Sequence, residues 1–386
     1  MSRFLSRAIA CRRHIVNANS PSTTFQNLLS AQIQWLSVRY ATSTASNNAH
    51  SFTVSYLIDT CGFPPQDAEA VSKRVSLETR DKPDVVINFL KTQGFSQSQI
   101  LRFIRHDPEF LRYDPDKTFL PKIEFLQSQG VSSSLIPRLV CSCPNIMGRS
   151  LSNQLIPSFH FFRELFQSDE RLIKALTYCS SILLCINTHV LPNMKLLREE
   201  GVPESNIMKL LQFFPRTLTR KPVQFMGVVE EVKEIGLDPL KFHFLMAVRV
   251  CVSISKSTRA KKAYVYKKWG WSDNDIVAAF RKYPFCMTVS EDKIDAIMEF
   301  LVHKLGYESS IINRCPSVFA LSLQRRILPR GAVIRVLLSK GLMKGKTSLS
   351  IFKYSEVYFL RKFLVYHGQK VSGLLDLYQS KLDLAR

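Results

Sequence analysis

The sequence lacks an uninterrupted apolar run of about 18 residues, which is the length that a helix needs to cross a membrane. The nearest candidate, FHFLMAVRVCVSI, is interrupted by Arg249 and is better explained as a buried helix. We therefore expect no membrane segment.

Motifs for metal binding, disulfide pairing and catalysis are also missing. The eight histidines include no HExxH or other paired-ligand spacing, and the CxC of Cys141 and Cys143 has no second pair at zinc-finger spacing. The nine cysteines are odd in number and lie in apolar contexts, which predicts free thiols. Serine, histidine and acidic residues show no catalytic order. We expect a protein that is not an enzyme and has no metal site and no cofactor.

Acidic residues are absent from the first 58 positions, where five arginines stand among serines and threonines. This composition is typical of an organellar transit peptide, and a disordered basic tail is the alternative. The segment WLSVRYATS offers a cleavage site after Tyr40 and favours the mitochondrion, with the chloroplast as the alternative. We predict a transit peptide at residues 1–40 and a disordered linker at 41–51.

Positive charge is in excess over the whole chain, because 53 lysines and arginines face 31 acidic residues and give a net charge of +22. Removing residues 1–40, which hold five arginines and no acidic residue, would still leave +17. Such a surface attracts polyanions. Nucleic acid is the leading candidate, and a ribosome-associated or merely soluble basic protein is the alternative.

Glycines recur with a period near 35 residues. Successive spacings are 32, 36, 71, 35, 34, 36 and 35, and the interval of 71 corresponds to two periods. The glycine missing from that interval would fall near Phe166. The recurring glycines are Gly62, Gly94, Gly130, Gly201, Gly236, Gly270, Gly306 and Gly341.

A proline follows the glycine by 14 residues in four units, and an apolar residue follows that proline by three. Glycine supplies the positive φ that ends a helix and proline does not continue a helix interior, so each unit is predicted to be helix, turn, helix, break. Ser96 with Gln99 predicts a capping box. Two units lack the proline, near Ser181 and near Val250, and we interpret them as drifted packing positions rather than functional specialisations. The prolines are Pro108, Pro144, Pro215 and Pro284.

Helices of about ten residues are marginal alone, so neighbouring units must bury each other's apolar stripes. We therefore predict an all-α fold, an α-solenoid forming a curved superhelix of about eight to nine repeats of ~35 residues. Each repeat should hold two α-helices and a short third helical turn. We expect the repeat domain at residues 52–370, a C-terminal tail at 371–386, and a monomer.

The order of apolar helix, glycine, second helix and Pro-x-x-apolar at this period resembles the mitochondrial transcription termination factor (mTERF) family. The stretch LGYESSIINRCPSVFALSLQRRILPRGAVIRVLLSKGL is similar to the plant organellar branch of that family. Pentatricopeptide repeats have a similar period but do not repeat a proline 14 residues after the glycine. The resemblance implies three-helix repeats whose concave path binds organellar nucleic acid.

Basic residues recur in the second helices, just beyond the prolines, and in the segments RAKKAYVYKKWGW and LQRRILPR. Phosphates attract many cations spread at repeat spacing, so we predict that these residues form a nucleic-acid-binding surface. Ordinary solvation is the alternative for any single one. The predicted residues are Arg102, Arg105, Arg138, Arg149, Lys209, Arg216, Arg220, Arg259, Lys261, Lys262, Lys267, Lys268, Arg281, Lys282, Arg314, Arg325, Arg326 and Arg330.

The sequence thus predicts an organellar nucleic-acid-binding protein that regulates mitochondrial gene expression, in transcription termination, transcript processing or splicing. Its expected partners are organellar DNA, RNA or both, with transcription, splicing or ribosomal proteins as further candidates. The alternative is a protein-binding helical scaffold for assembly of an organellar ribosome or polymerase. The charges alone do not distinguish DNA from RNA.

Overall fold

The computed structural model describes residues 50–343 and 348–384. The predicted transit peptide and residues 41–49 of the predicted linker lie outside these ranges, and residues 50 and 51 already belong to a helix. Within the described ranges every regular element is helical and no strand is present. The predicted all-α repeat fold is confirmed.

The chain divides into two compact units after Pro115, whereas we predicted one continuous repeat domain. The described part of the first unit contains two helical pairs and one turn of 3-10 helix. These elements are 50–59, Pro65–Ser72, Asp81–Thr92, Gln97–His106 and Pro108–Arg112. A short helix, Pro115–Thr118, spans the division.

The second unit repeats a first helix, a second helix and a third turn of 3-10 helix. The first helices are Leu120–Ser128, Ile156–Phe166, Leu191–Glu199, Pro222–Glu234, Lys256–Lys268, Glu291–Glu299 and Leu328–Ser339, with π-helical turns at Leu151–Leu155, Ile186–Val190, Phe300–Lys304 and Leu323–Ile327. The second helices are Ile136–Ser142, Asp169–Tyr178, Glu204–Phe213, Phe242–Ser253, Asp273–Lys282 and Ser309–Asn313. The third turns are Pro144–Ile146, Ser180–Leu184, Pro215–Thr219, Pro284–Thr288, Pro316–Ala320 and Leu349–Lys353.

The turn between first and second helix confirms the glycine pattern. All eight predicted glycines have positive φ, between +67° and +86°. In the interval without a glycine the turn is kept by Gln167, whose φ of +49° is the only positive value outside glycine among the described residues. A side chain in this conformation costs about 1 kcal/mol or more, so the unit keeps its turn at the expense of stability. We number the repeats 1 to 9 by these eight glycines and Gln167 in chain order.

The prolines and the capping box also act as predicted. Ser96 and Gln99 cap the second helix of repeat 2 reciprocally. Each of the four prolines is the first residue of a third turn. The apolar residue three positions later is buried in every case, and these residues are Leu111, Met147, Leu218 and Met287.

Repeats 4 and 6, which we interpreted from the sequence as drifted, differ from one another. In repeat 4 the third turn is kept, but Ser180 rather than Ser181 occupies the proline position, and its hydroxyl donates to the Leu139 carbonyl at 3.1 Å. Repeat 6 has no third turn. Its second helix, Phe242–Ser253, instead packs against the third turns of repeats 5 and 7.

Consecutive third turns pack on one another from Ser180 to Lys353, with helix Phe242–Ser253 taking the place of the turn that repeat 6 lacks. We call this series the third-turn row. It runs through repeats 4 to 9.

Residues 374–383 of the segment that we predicted as a C-terminal tail form a helix. Helix Leu374–Asp383 packs against Leu328–Ser339, and its side chains Leu374 and Tyr378 are buried. The apolar pattern of this short helix therefore belongs to the folded unit.

No helix in the described ranges is both long and apolar enough to span a membrane. The cysteines within those ranges are all free thiols. No cluster of three or more histidine, cysteine or acidic side chains suited to a metal ion occurs in the same part of the chain.

Candidate functional site

The predicted cations fall into three groups, and the first group is buried. Arg330 has no exposed surface, and it donates to the carbonyls of Ile351, Phe352 and Tyr354 at 3.3, 3.2 and 2.7 Å. It also pairs with Glu356 at 2.8 Å. The charge of Arg330 is thus neutralised inside the protein, and Arg330 does not belong to a ligand-binding surface.

Lys262 and Arg259 are engaged in the same way. Lys262 is 6% exposed and its ammonium donates to the Val289 carbonyl. Arg259 has a side chain 13% exposed and pairs with Glu231. Both residues lie on the inward face of helix Lys256–Lys268, and sequence spacing alone did not separate them from their exposed neighbours.

A second group of predicted cations is bound to neighbouring groups at or near the surface. Arg105 pairs with Asp67 at 2.6 Å, and Lys267 pairs with Asp273 at 2.7 Å. Arg281 donates to the Ile235 carbonyl, Arg220 donates to the Val252 carbonyl at 2.7 Å, and Arg326 donates to the Tyr354 carbonyl at 3.5 Å. These contacts reduce the charge that each side chain offers to a ligand.

The third group is exposed and has no ion-pair partner within the described ranges. Its members are spread over repeats 2 to 9, so they provide a distributed positive potential rather than one contact point. They are Arg102, Arg138, Arg149, Lys209, Arg216, Lys261, Lys268, Lys282, Arg314 and Arg325.

A pocket of about 530 Å³ is lined by one member of this third group, Arg216, together with two further arginines. It brings together Arg216 and Arg220, which we predicted, with Arg249, which we did not. Aromatic, hydroxyl and small side chains complete its lining, and no carboxylate is among them. The remaining lining residues are Tyr178, Phe213, Phe214, Pro215, Thr217, Thr219, Val252 and Ser253.

Arg249 lies in the buried second helix of repeat 6, and its guanidinium is held between two rings. Its central carbon lies 3.9 Å from the ring centroid of Phe214 and 5.2 Å from that of Phe285. Burial lowers the pKa of Arg249 from its ordinary value. A half-buried cation loses part of its hydration, and two rings without a carboxylate compensate only part of that loss. An anion in the pocket would therefore stabilise Arg249.

The backbone that carries Arg216 and Arg220 is fixed from beneath by Asn193. This side chain has no exposed surface, and its amide donates to the carbonyls of Leu218 and Arg220 at 2.9 and 2.7 Å. The Arg220 guanidinium donates to the Val252 carbonyl at 2.7 Å, which ties repeat 5 to repeat 6. The pocket is therefore preformed rather than assembled from mobile side chains.

Two large rings at the pocket remain open to solvent. Tyr178 is 52% exposed and Phe213 is 39% exposed. Each is the last residue of a second helix, in repeats 4 and 5 respectively. In repeats 2 and 7 the same position holds His106 and Lys282, so an aromatic residue at this exposed position was a signal available in the sequence.

The stacked helical repeats and the basic pocket without an acidic side chain define the class of the protein, which is a helical-repeat protein suited to binding polyanions. The chain matches the mTERF family over residues 87–250 and 244–360, which is more than half of its length, and it belongs to that family. The family consists of organellar helical-repeat proteins that bind nucleic acid. None of the curated proteins compared with the chain matches it.

Proposed function

We propose that this protein regulates mitochondrial gene expression by docking DNA or RNA on the basic side chains beside the third-turn row. The steps open to it are transcription termination, transcript processing and splicing. The observation that carries the proposal is the convergence of Arg216, Arg220 and Arg249 in a pocket without a carboxylate.

The mechanism would begin with electrostatic attraction. Exposed cations with no internal partner neutralise phosphates and release the counterions bound to them, which favours association without reading sequence. Within the second unit, the spread of such cations over repeats 3 to 9 suits a ligand that is itself long and repetitively charged. No residue is required to break or form a bond.

The acid-free leader supports import into an organelle, and its arginine near Tyr40 favours the mitochondrion over the chloroplast. The similarity of residues 305–342 to plant members of the family supports a place in the plant organellar branch. Expression of the chain fused to a fluorescent protein, with and without residues 1–40, tests the localisation directly.

Salt titration tests the binding mechanism. Affinity for duplex DNA should fall linearly on a log–log plot, with a slope of about 0.9 for each phosphate neutralised, and for a single strand about 0.7. An Arg216→Ala variant should reduce the slope by about one phosphate contact. The control Lys195→Ala removes an exposed cation from the first helix of the same repeat and should leave the slope unchanged. Affinity that does not respond to salt would contradict phosphate-driven docking.

A protein-binding scaffold is the second candidate, and one observation favours it. Val357, Val365 and Tyr366 are 77%, 70% and 68% exposed near the C-terminal end of the described chain, in a region of large apolar side chains. Under this alternative, Tyr366→Ser would abolish association with a ribosomal or polymerase protein while nucleic-acid affinity stayed the same.

A further inference from the structure

The pocket lies where the repeat pattern is interrupted. Tyr178 comes from repeat 4, whose third turn begins with Ser180 instead of proline. Arg249 comes from repeat 6, which has no third turn. Repeats 4 and 6, the two repeats that we interpreted as drifted, therefore both contribute to the lining, with repeat 5 between them. This convergence favours a functional specialisation of repeats 4 and 6 over the drift of packing positions that we inferred from the sequence.

Repeat 6 shows how such an interruption creates space. Where other repeats place a compact third turn, the second helix of repeat 6 ends at Ser253 and the next first helix begins at Lys256. Arg249 and Val252 consequently face the third turn of repeat 5 across the pocket. A third turn that began with proline at this position would add residues to the third-turn row.

The exposed rings provide a surface that a flat ligand can cover. The Lys174 ammonium lies 5.4 Å from the centroid of Phe213, and Arg216 lines the same pocket as this ring. Phe213 is 6.4 Å from the ring of Phe214, which in turn contacts Arg249. Alternating rings and guanidinium groups provide stacking partners for bases and charges for phosphates.

We infer that this pocket binds an unpaired nucleic-acid strand, with a base stacked on Phe213 or Tyr178 and an adjacent phosphate held by Arg216 and Arg249. The inference rests on the proposed function and specifies its substrate class. Bases inside an intact duplex are covered by their neighbours and cannot reach these rings, so the protein binds single strands in preference to duplexes. RNA and single-stranded DNA share this chemistry.

The size of the pocket fits this ligand. Its volume of about 530 Å³ lies within the range of roughly 300–1,000 Å³ that is usual for sites enclosing one small ligand. Because the rings come from the ends of second helices in adjacent repeats, successive bases could use Tyr178 and Phe213 in turn.

The test is equilibrium binding of the full chain to labelled oligonucleotides of about 20 nucleotides, as RNA, as DNA of the same sequence and as the DNA duplex. The wild-type protein should bind at least one single strand about tenfold more tightly than the duplex. Phe213→Ala should weaken single-strand binding about tenfold, which is the effect of losing one stacked base, and change duplex affinity less than about twofold. Phe213→Tyr keeps a ring and should restore the preference.

Tyr264→Ala is the matched control, because Tyr264 is 63% exposed and has the Lys268 ammonium 5.1 Å from its ring but lies outside the pocket. It should leave both affinities unchanged. An equal loss of single-strand and duplex affinity in Phe213→Ala, or an equal effect of Tyr264→Ala, overturns the inference. Salt-dependent binding without a strand preference refutes the inference alone, whereas no salt-dependent binding to any strand refutes the proposed function as well. A difference between the RNA and DNA strands shows which of the two the site accepts.

Discussion

Arg330 and Arg249 lie in two regions of the same unit, and they differ in whether acidic or carbonyl partners compensate their positive charge. Arg330 is fully buried, has Phe359 at 4.6 Å, and satisfies its charge with Glu356 and three carbonyl groups. Arg249 is half-buried, has Phe214 at 3.9 Å, and faces a pocket whose lining includes no carboxylate.

The difference teaches that the partners of a basic side chain, and not its membership of a basic cluster, decide its role. The segment LQRRILPR is rich in arginine, yet Arg330 holds the C-terminal helices together. Arg249 stands alone in an apolar stretch and yet belongs to the open pocket. Substitutions at the two positions should therefore have opposite consequences for stability and binding.

The largest effect is expected from Arg330→Met. Removing this guanidinium takes a donor from the carbonyls of Ile351 and Phe352, and one of the two donors from both the Tyr354 carbonyl and Glu356, so the unfolding free energy should fall by about 3 kcal/mol. Thermal unfolding followed by circular dichroism measures the change. Arg325→Met, at an exposed position in the same segment, should change stability by less than about 0.5 kcal/mol. Equal effects of the two substitutions would refute the structural role.

The next effect is expected from Arg249→Met, which should leave stability within about 1 kcal/mol of the wild type. No carboxylate in the pocket loses its partner, and a desolvated cation is removed. Nucleic-acid affinity should fall about tenfold, as expected for loss of a charged contact. A stability loss as large as that of Arg330→Met would show that Arg249 is part of the core rather than of the pocket.

A smaller effect on stability is expected at the turns between first and second helices, where repeat 4 has Gln167 and its neighbours have glycine. Gly270 has a φ of +84° and open space for a Cβ, so Gly270→Ala should cost about 1 kcal/mol through backbone strain alone. Gln167→Gly relieves the same strain but makes the unfolded chain more flexible, so the gain should be about 0.5 kcal/mol. Melting temperatures of the two variants should shift in opposite directions, and a shift in the same direction would contradict the shared geometry.

The smallest effect concerns pH at the Arg330 site. Burial raises the pKa of Glu356, but hydrogen bonds from Tyr378 and Arg330 outweigh it and hold the pKa below that of an ordinary glutamate. A carboxyl group whose pKa is lowered in the folded state stabilises the protein at pH values above the ordinary glutamate pKa of about 4.3. This contribution is lost as the pH falls through the folded-state pKa. The difference in melting temperature between wild type and Glu356→Gln should be constant from about pH 7 to 5 and shrink below about pH 4.

Glu199→Gln serves as the control for this pH dependence, because Glu199 is 59% exposed and its ion-pair partner Lys195, at 3.6 Å, is 76% exposed. Its stability difference from the wild type should not change over the same range. A parallel change in both variants would assign the effect to the overall charge of the protein.

The fold could be predicted from the sequence because its signals are local. A positive φ after a helix favours glycine, because other residues adopt it only at a cost in stability, and proline does not continue the interior of a helix. Gly94 and Pro108 therefore mark the same helix boundaries in the sequence and in the structure. The burial of Leu111 and Met147 follows from the same spacing. Helix Leu374–Asp383 was not predicted from the sequence, because it lies beyond the last predicted repeat and is recognisable only by what it packs against.

The candidate site could be predicted only in part. Arg216 and Arg220 follow a proline, which placed them correctly beside a third turn. The burial of Lys262 and the exposure of Lys261 depend on the rotation of one helix against its neighbours, which charge patterning does not determine. Arg249 was missed because it interrupts an apolar run, and only the packing of repeat 6 shows where its guanidinium lies.

Because residues of repeats 4, 5 and 6 line the pocket, a bound strand would contact three consecutive repeats and hold them together. Repeat proteins open locally, since each unit contacts mainly its neighbours, and amide hydrogens exchange during these openings. Occupancy should therefore slow exchange most in the middle of the chain, around Phe213 and Val252, and least in the C-terminal helices. The protein would thus be most rigid where it holds its ligand.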